Sequence, residues 1–150
     1  TMLLNRTQYE KDLERIKPPA VIINMDVDDF KQINDTSGHA AGDYYLRQIA
    51  EVIRTVYGRH GDCYRYGGDE FSLILTKNLH QMEKLNGMFE AALGQLREQD
   101  PKMPTVSLGY ALYEGGIEAL YATIEKADAM MYRNKKVNDR AEIVENAAEF

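Results

Sequence analysis

The fold is decided first by the stretch AVIINMDVDD, residues 20–29. Its first six residues are nearly all apolar and several are β-branched, a pattern typical of a strand that is buried on both faces. Asp26, Asp28 and Asp29 follow directly. Because side chains alternate along a strand, Asp26 and Asp28 are predicted to lie on the same side of the strand end. The stretch therefore predicts a central strand with carboxylates at its carboxyl end.

Helical and strand patterns alternate on both sides of this strand. The segment 3–17 has apolar residues at helical spacing and stops at the proline pair 18–19. Apolar periodicity then predicts further helices over about residues 40–57, 79–98 and 117–135. Further strands are predicted at residues 63–66, 71–75 and 106–112, with a last edge strand at 141–144. This order predicts an α/β protein of the α+β kind, in which helices cover a sheet.

Length and charge narrow the class of protein. With 150 residues and no linker-like or repetitive segment, residues 1–150 are predicted to form a single domain. The net charge of −6 and the absence of any basic run longer than Lys135-Lys136 disfavour nucleic-acid binding. The single cysteine, Cys63, excludes an internal disulfide framework. No apolar run approaches membrane-spanning length, so we expect a cytoplasmic domain without membrane contact.

Two acidic clusters carry the first candidate chemistry. The second cluster, GGDEF at residues 67–71, separates two strand-like runs, and paired glycines between such runs predict a hairpin. If that hairpin lies beside the central strand, Asp69 or Glu70 would meet Asp26 and form a carboxylate site for Mg²⁺. Metal ions there would support phosphoryl transfer to or from a nucleotide. The alternative is that both clusters are solvated polar turns, and the residues alone do not decide between the two.

The segment between the central strand and the next helix, residues 31–43, offers a second kind of site. It contains the cation Lys31, the amide Asn34 and the carboxylate Asp43. A carboxylate accepts hydrogen bonds from the N1–H and the exocyclic amine of guanine, a donor pair that adenine lacks. The alternative is local turn and cap chemistry, for which these residue types are also suited.

The run DVDDFKQINDTSGHAAGD at residues 26–43, followed by RYGGDEF at 65–71, resembles the GGDEF family of diguanylate cyclases. The resemblance extends to the segments NR at 5–6 and ADAMMY at 127–132, so it covers nearly the whole chain. It implies the palm-like fold of nucleotidyl cyclases and polymerases, a five-stranded central sheet flanked by helices. It also implies the condensation of two GTP molecules into cyclic di-GMP with release of two pyrophosphates. Each domain would hold one GTP, so the active unit would be a homodimer.

The resemblance also assigns a metal site and catalytic residues. Asp26 and Asp69, together with Glu70 and the backbone carbonyl of Val27, would bind Mg²⁺, with Mn²⁺ as the alternative and two ions in each GTP site. Asp69, helped by Glu70, would assist deprotonation of the attacking 3′-hydroxyl. Lys31 would stabilise charge on the phosphates.

Substrate contacts follow from the same resemblance. The backbone amides of Asp29 and Phe30 would bind phosphate oxygens, and Lys135, placed just past the last predicted helix, would reach the terminal phosphates. The remaining predicted contacts are with the nucleoside: Asn34 and Asp43 would read guanine, and His39 would lie against the nucleotide.

The chain departs from the family pattern in three places. Arg59 and Asp62 have the letters of the family's product-inhibition motif, but only four residues separate Asp62 from Gly67 where the family has five. A shift of one residue in a strand turns side chains to the other face, so we expect product feedback to be weak or absent. The sequence around Arg140 lacks the family's Gly-Arg-Asn, which weakens the case for a phosphate contact there. Thr1 matches the end of the family's entry motif, so we expect a catalytic domain attached to an N-terminal sensory domain.

Two rival functions remain open at this point. One is a catalytically silent GGDEF module that binds GTP or a protein partner for signalling. The other is a related nucleotidyltransferase that makes a different cyclic dinucleotide. The intact acidic motifs favour the active cyclase, because a silent module has no chemical need for all of them.

Overall fold

The computed structural model describes residues 3–148, and it describes side chains up to residue 138. The helices are α1 (Arg6–Glu14), α2 (Phe30–Ser37), α3 (His39–Tyr57), α4 (Met82–Gln99) and α5 (Ile117–Ala148). The strands are β1 (Leu4–Asn5), β2 (Ala20–Val27), β3 (Gly61–Arg65), β4 (Glu70–Leu75) and β5 (Val106–Tyr113). A 3-10 turn, Leu79–Gln81, leads into α4.

The five strands form one mixed sheet in the order β1-β3-β4-β2-β5. β1 runs parallel to β3, while β3 with β4, β4 with β2, and β2 with β5 are antiparallel pairs. The predicted hairpin is confirmed, because β3 and β4 are adjacent antiparallel strands joined at Gly67-Gly68. The predicted α+β architecture, a five-stranded sheet flanked by helices, is also confirmed.

The strand β2 divides the core in two because all eight of its residues are buried. Its odd-numbered residues, such as Ile23 and Met25, pack in the larger apolar cluster with α3 and α4. Its even-numbered residues Ala20 and Ile22 pack in a second cluster with α1 and α5. The same alternation places the later even-numbered side chains of this strand on the α5 side.

The fifth strand differs from the sequence-based prediction. The predicted edge strand at 141–144 is wrong, because α5 continues to Ala148. The chain contains no glycine or proline after Gly116, so the sequence has no residue that favours a stop between the predicted helix end and Ala148. The fifth strand is instead β1, whose Asn5 also caps α1 by accepting a hydrogen bond from the Gln8 N–H at 2.9 Å.

The helix α2 was not predicted. Residues 30–37, interpreted from sequence as a connecting turn, form the helix α2, which packs on the larger cluster through Phe30 and Ile33. Although α5 is 32 residues long, neither it nor any other described helix combines the length and apolarity of a membrane span.

The contact between α5 and the sheet requires a glycine in β5. A methyl group at Gly109 would collide with the backbone carbonyl of Ala127 and the backbone N–H of Met131, both in α5. We therefore expect Gly109→Ala to destabilise the fold by about 1–3 kcal/mol, since neither backbone atom can move without shifting the helix. Urea unfolding followed by circular dichroism measures this change in the free energy of unfolding.

The matched control for that substitution is Gly94→Ala, within α4, where an added methyl group meets nothing within 4 Å. Alanine is favoured over glycine in a helix, so this variant should be more stable by about 0.5–1 kcal/mol. Equal effects of the two substitutions would contradict the close approach of α5 to Gly109.

Candidate functional site

The end of β2 and the tip of the β3–β4 hairpin lie side by side. Asp26 pairs in register with Glu70, and the Val27 N–H donates to the Asp69 carbonyl at 3.0 Å. The expectation that the hairpin carboxylates meet Asp26 is therefore confirmed. Three acidic residues from two distant parts of the sequence therefore meet at one end of the neighbouring strands β2 and β4.

Arg65 holds the glycine turn that carries two of these carboxylates. Its guanidinium donates to the carbonyls of Gly67 and Gly68 at 3.3 and 2.9 Å. The Tyr66 N–H donates to the Glu70 carbonyl at 2.9 Å and closes the hairpin. No role for Arg65 was predicted from the sequence, although its position two residues before Gly67 is a usable signal for such a contact.

Lys135 pairs with the central carboxylate of the cluster. Its Nζ lies 2.6 Å from Asp26 Oδ2, with the lysine side chain 30% and the aspartate side chain 12% exposed. Burial alone would lower the pKa of Lys135, but the hydrogen bond to Asp26 and the surrounding carboxylates outweigh it and raise that pKa. The sequence placed Lys135 just past a helix, whereas the structure places it within α5.

The three carboxylates of the cluster, Asp26, Asp69 and Glu70, carry more negative charge than the positive charge of Lys135 can balance. Burial and then the charge of Asp26 raise the pKa of Asp69 above its usual range. Burial, followed by the charges of Asp26 and Asp69, raises the pKa of Glu70 in the same way. The second oxygen of Asp26, Oδ1, is buried and has no hydrogen-bond partner among the described residues.

These residues fit a hard divalent cation. Carboxylate oxygens are the ligands that Mg²⁺ prefers, and a buried carboxylate oxygen without a donor is the kind of group a cation satisfies. Within the described residues no three His, Cys, Asp or Glu side chains form a ready metal cage. Mg²⁺ usually takes only one or two protein carboxylates and completes its shell with water and substrate phosphates, so this geometry suits it.

Asp28, two residues beyond Asp26, has a structural role that the sequence analysis missed. It is 3% exposed and accepts hydrogen bonds from Thr105 Oγ1 at 2.6 Å, Ser107 Oγ at 2.7 Å and Asn138 Nδ2 at 3.0 Å. Its N–H donates to the Thr105 carbonyl at 2.9 Å. Burial raises the pKa of Asp28, and the three hydrogen bonds oppose that effect. Asp28 therefore fixes the end of β2 to both β5 and α5.

The turn that follows leads into the amino end of α2. Asp29 has a left-handed backbone, φ 53° and ψ 31°, and its side chain makes no capping hydrogen bond to the helix. The first backbone N–H groups of a helix have no intrahelical partner and favour anions. Phe30 and Lys31 begin this helix, and the Lys31 side chain is exposed. The phosphate contacts of Asp29, Phe30 and Lys31 remain predictions. The amino end of α2, where these residues lie, is a suitable position for them.

Close packing of α2 on α3 brings together the residues predicted to read guanine. A side chain at Gly42 would collide with the amide oxygen of Asn34, so α3 approaches Asn34 directly at this glycine. Asp43 is the next residue and is exposed, as is His39 at the start of α3. Asn34 and Asp43 thus lie on neighbouring turns of the two packed helices α2 and α3. No side-chain contact among the described residues assigns a role to His39.

The residues of the predicted product-inhibition motif lie away from the hairpin tip. Asp62 pairs with Ile74, near the end of β4 remote from Glu70, and both Arg59 and Asp62 are exposed. Weak product feedback therefore stays a prediction. Arg140 lies outside the residues whose side chains are described.

Comparison with known proteins adds independent findings. The family model described as "Diguanylate cyclase, GGDEF domain" matches residues 1–140. Diguanylate cyclase A of Treponema denticola is 33% identical over 121 residues, which cover 77% of this chain and 32% of that protein. The chain thus spans about a third of the length of curated relatives that it matches.

Solved structures with a similar fold include an active GGEEF domain of a diguanylate cyclase from Vibrio cholerae. It superposes with a TM-score of 0.77 at 26% identity and covers 90% of this chain and 92% of that one. The GGDEF domain of DgcB from Caulobacter crescentus, solved in complex with c-di-GMP, gives a TM-score of 0.76 at 28% identity. That comparison covers 91% of this chain and 87% of the other.

The contacts of Asp28 generate a stability prediction. Asp28→Ala removes the acceptor of the buried Ser107 hydroxyl and of the half-buried donors of Thr105 and Asn138, so we expect a loss of about 1–3 kcal/mol in the free energy of unfolding. Urea titration measures the loss. The control is Asp35→Ala, which removes an exposed carboxylate from α2 and should be neutral or slightly stabilising. A neutral Asp28→Ala would contradict the anchoring role.

Proposed function

This chain belongs to the GGDEF family of diguanylate cyclase domains, and we propose that it condenses two molecules of GTP into cyclic di-GMP with release of two pyrophosphates. The observation that carries the proposal is the meeting of Asp26, Asp69 and Glu70 beside Lys135 at one end of the paired strands β2 and β4. The carboxylates can bind a metal cation and the lysine can bind phosphate. A nucleoside triphosphate with its metal requires both kinds of group.

The metal proposal names this chain's own ligands. Asp26, Asp69 and Glu70, with the backbone carbonyl of Val27, would hold Mg²⁺, or Mn²⁺ in its place, with two ions in each GTP site. When bound, the ions supply charge neutralisation at the α-phosphate and at the departing pyrophosphate. Lys135 contacts an oxygen of Asp26 in this structure, and Asp26 is a proposed metal ligand. With metal and GTP bound, Lys135 could therefore pair either with Asp26 or with a phosphate.

Proton transfer and phosphate binding fall to neighbouring groups. Asp69, helped by Glu70, would assist deprotonation of the attacking 3′-hydroxyl, since both carboxylates lie at the proposed metal site beside Asp26. Lys31, Lys135 and the backbone N–H groups of Asp29 and Phe30 would orient the phosphates and stabilise their charge.

Base recognition is proposed for the α2–α3 contact. Asn34 and Asp43 would hydrogen-bond the edge of guanine, and His39 would lie against the nucleotide. The support is that Asn34 on α2 packs directly against Gly42 on α3, and Asp43 is the residue after Gly42. A carboxylate at Asp43 favours guanine over adenine because only guanine presents two adjacent donors.

The proposed assembly is a homodimer in which each domain holds one GTP, since the product joins two nucleotides. We further propose that an N-terminal sensory domain controls that assembly in a cytoplasmic protein. The support is that some of the curated relatives are about three times longer than the matched region. The rival is a catalytically silent GGDEF module that binds GTP or a protein partner.

Removal of one proposed ligand tests the catalytic assignment. Asp69→Asn keeps the shape of the side chain but loses its charge and basicity, so cyclic di-GMP formation should fall by at least about 100-fold. Mass spectrometry after incubation with GTP and Mg²⁺ measures the product, with the chain both as it stands and fused to a dimerising coiled coil. The matched control, Glu83→Gln, neutralises an exposed carboxylate on α4 and should leave product formation unchanged.

The same assay separates the rival functions. Product that persists in Asp69→Asn would show that the metal and base assignment is wrong. GTP binding without product in the parent coiled-coil fusion would favour the silent module. A different cyclic dinucleotide would identify the related nucleotidyltransferase.

A second substitution tests base recognition. Asp43→Ser removes the acceptor for the two guanine donors, so the preference for GTP over ATP should fall by about 10-fold or more. The ratio of kcat/KM values for the two nucleotides measures it. Glu51→Ser, an exposed carboxylate on the same helix α3, is the control and should leave that ratio unchanged. An unchanged ratio in Asp43→Ser would contradict the assignment.

A further inference from the structure

A groove of about 680 Å³ lies between α1 and α5, on the face of the sheet opposite α3 and α4. On one side of the groove, α1 is nine residues long and ends at Glu14, before the proline pair that leads into β2. Leu13 and Ile16 line one side of the groove, and Leu120 and Ile124 line the other. The candidate guanine contacts, Asn34 and Asp43, are not part of its lining.

One face of α5 supplies a largely apolar strip along this groove, interrupted by Asp128. Residues 117, 121, 124, 128 and 132 repeat at helical spacing and all line it. Three of them are large and unusually exposed for apolar side chains: Ile117 at 74%, Tyr121 at 65% and Tyr132 at 58%. From Ile117 to Tyr132 the strip is about 22 Å long at the helical rise of 1.5 Å per residue. This length matches about four turns of a second helix.

The groove carries charge of one sign. Four of its lining residues are acidic, namely Glu10, Glu14, Glu70 and Asp128, and none of its described lining residues is lysine or arginine. Arg6 lies at the end near the hairpin, where it pairs with Glu10 and stacks on Tyr66. Burial raises the pKa of Asp128 even though Asn24 donates a hydrogen bond to it, so this carboxylate lacks full compensation. An occupant that brings positive charge to the groove would supply that compensation.

We propose that this groove docks a basic amphipathic helix from a partner protein. The apolar face of such a helix would cover Ile117 and Tyr121, and its lysine or arginine residues would meet Glu14 and Asp128. Helix-in-groove recognition uses this combination of spaced apolar anchors and flanking charge. A second copy of this chain fits less well, because two-fold pairing of the same groove would bring its acidic residues together.

A synthetic helix tests the proposal without knowledge of the natural partner. The probe is a fluorescein-labelled peptide of about 15 residues, built of leucine and lysine with leucines at helical spacing, and the comparison peptide replaces every lysine with glutamate. Fluorescence anisotropy with the whole chain should show micromolar binding of the lysine peptide and at least about 10-fold weaker binding of the glutamate peptide. Absence of binding by the lysine peptide, or equal binding of both peptides, would overturn the proposal.

Matched variants locate the binding. Tyr121→Ala should weaken binding of the lysine peptide by about 10-fold, whereas Tyr44→Ala, an exposed tyrosine on α3, should not change it. Glu14→Lys should weaken binding by several-fold, whereas Glu83→Lys on α4 should have a smaller effect. Equal effects within either pair would place the peptide elsewhere and overturn the proposal. Concentration-dependent self-association that Tyr121→Ala abolishes, measured by sedimentation velocity, would assign the groove to a second copy instead.

Discussion

The register between β2 and β4 is the constraint on which the rest of the structure depends. Because β2 is buried on both faces and its side chains alternate, a slip of one residue would exchange its two faces. The observed register places Asp26 opposite Glu70 and places Ile23 in the larger apolar cluster. The same register therefore both buries the apolar side chains of β2 and brings the acidic residues together.

The position of α5 depends on the same register, because the register sets which polar side chains of β2 face this helix. Three hydrogen-bonded pairs join β2 and the residue after it to α5: Asn24 with Asp128, Asp26 with Lys135, and Asp28 with Asn138. Buried polar groups cost free energy unless they are paired, so these contacts determine how α5 lies along the sheet. Gly109 lets the helix backbone come close enough for them to form. Lys135 reaches Asp26 because α5 is seated in this way.

The proposed nucleotide site draws on both faces of the sheet. The α2–α3 junction adjoins the carboxyl end of β2 and carries the proposed base contacts, while Asp26 and Lys135 meet on the α5 side. The α1–α5 face carries the acidic groove, whose lining includes Glu70 of the hairpin. A chain with a net charge of −6 would bind a polyphosphate through a few placed cations and helix N–H groups, while its remaining acidic surface favours a basic partner.

The local elements and the acidic motifs can be identified from the order of residues along the chain. Periodicity and glycine pairs depend on neighbouring residues, so β2, the hairpin and the three long helices could be predicted, as could the meeting of Asp26 with Glu70. The tertiary structure alone decided the edge strand β1, the continuation of α5 through 141–144, and the partners of Asp28 and Lys135. Asp26 and Lys135 are 109 residues apart and Asp28 and Asn138 are 110 apart, so no local pattern encodes those pairs. They form because packing of a helix on a sheet brings polar side chains into one buried layer, where each must find a partner.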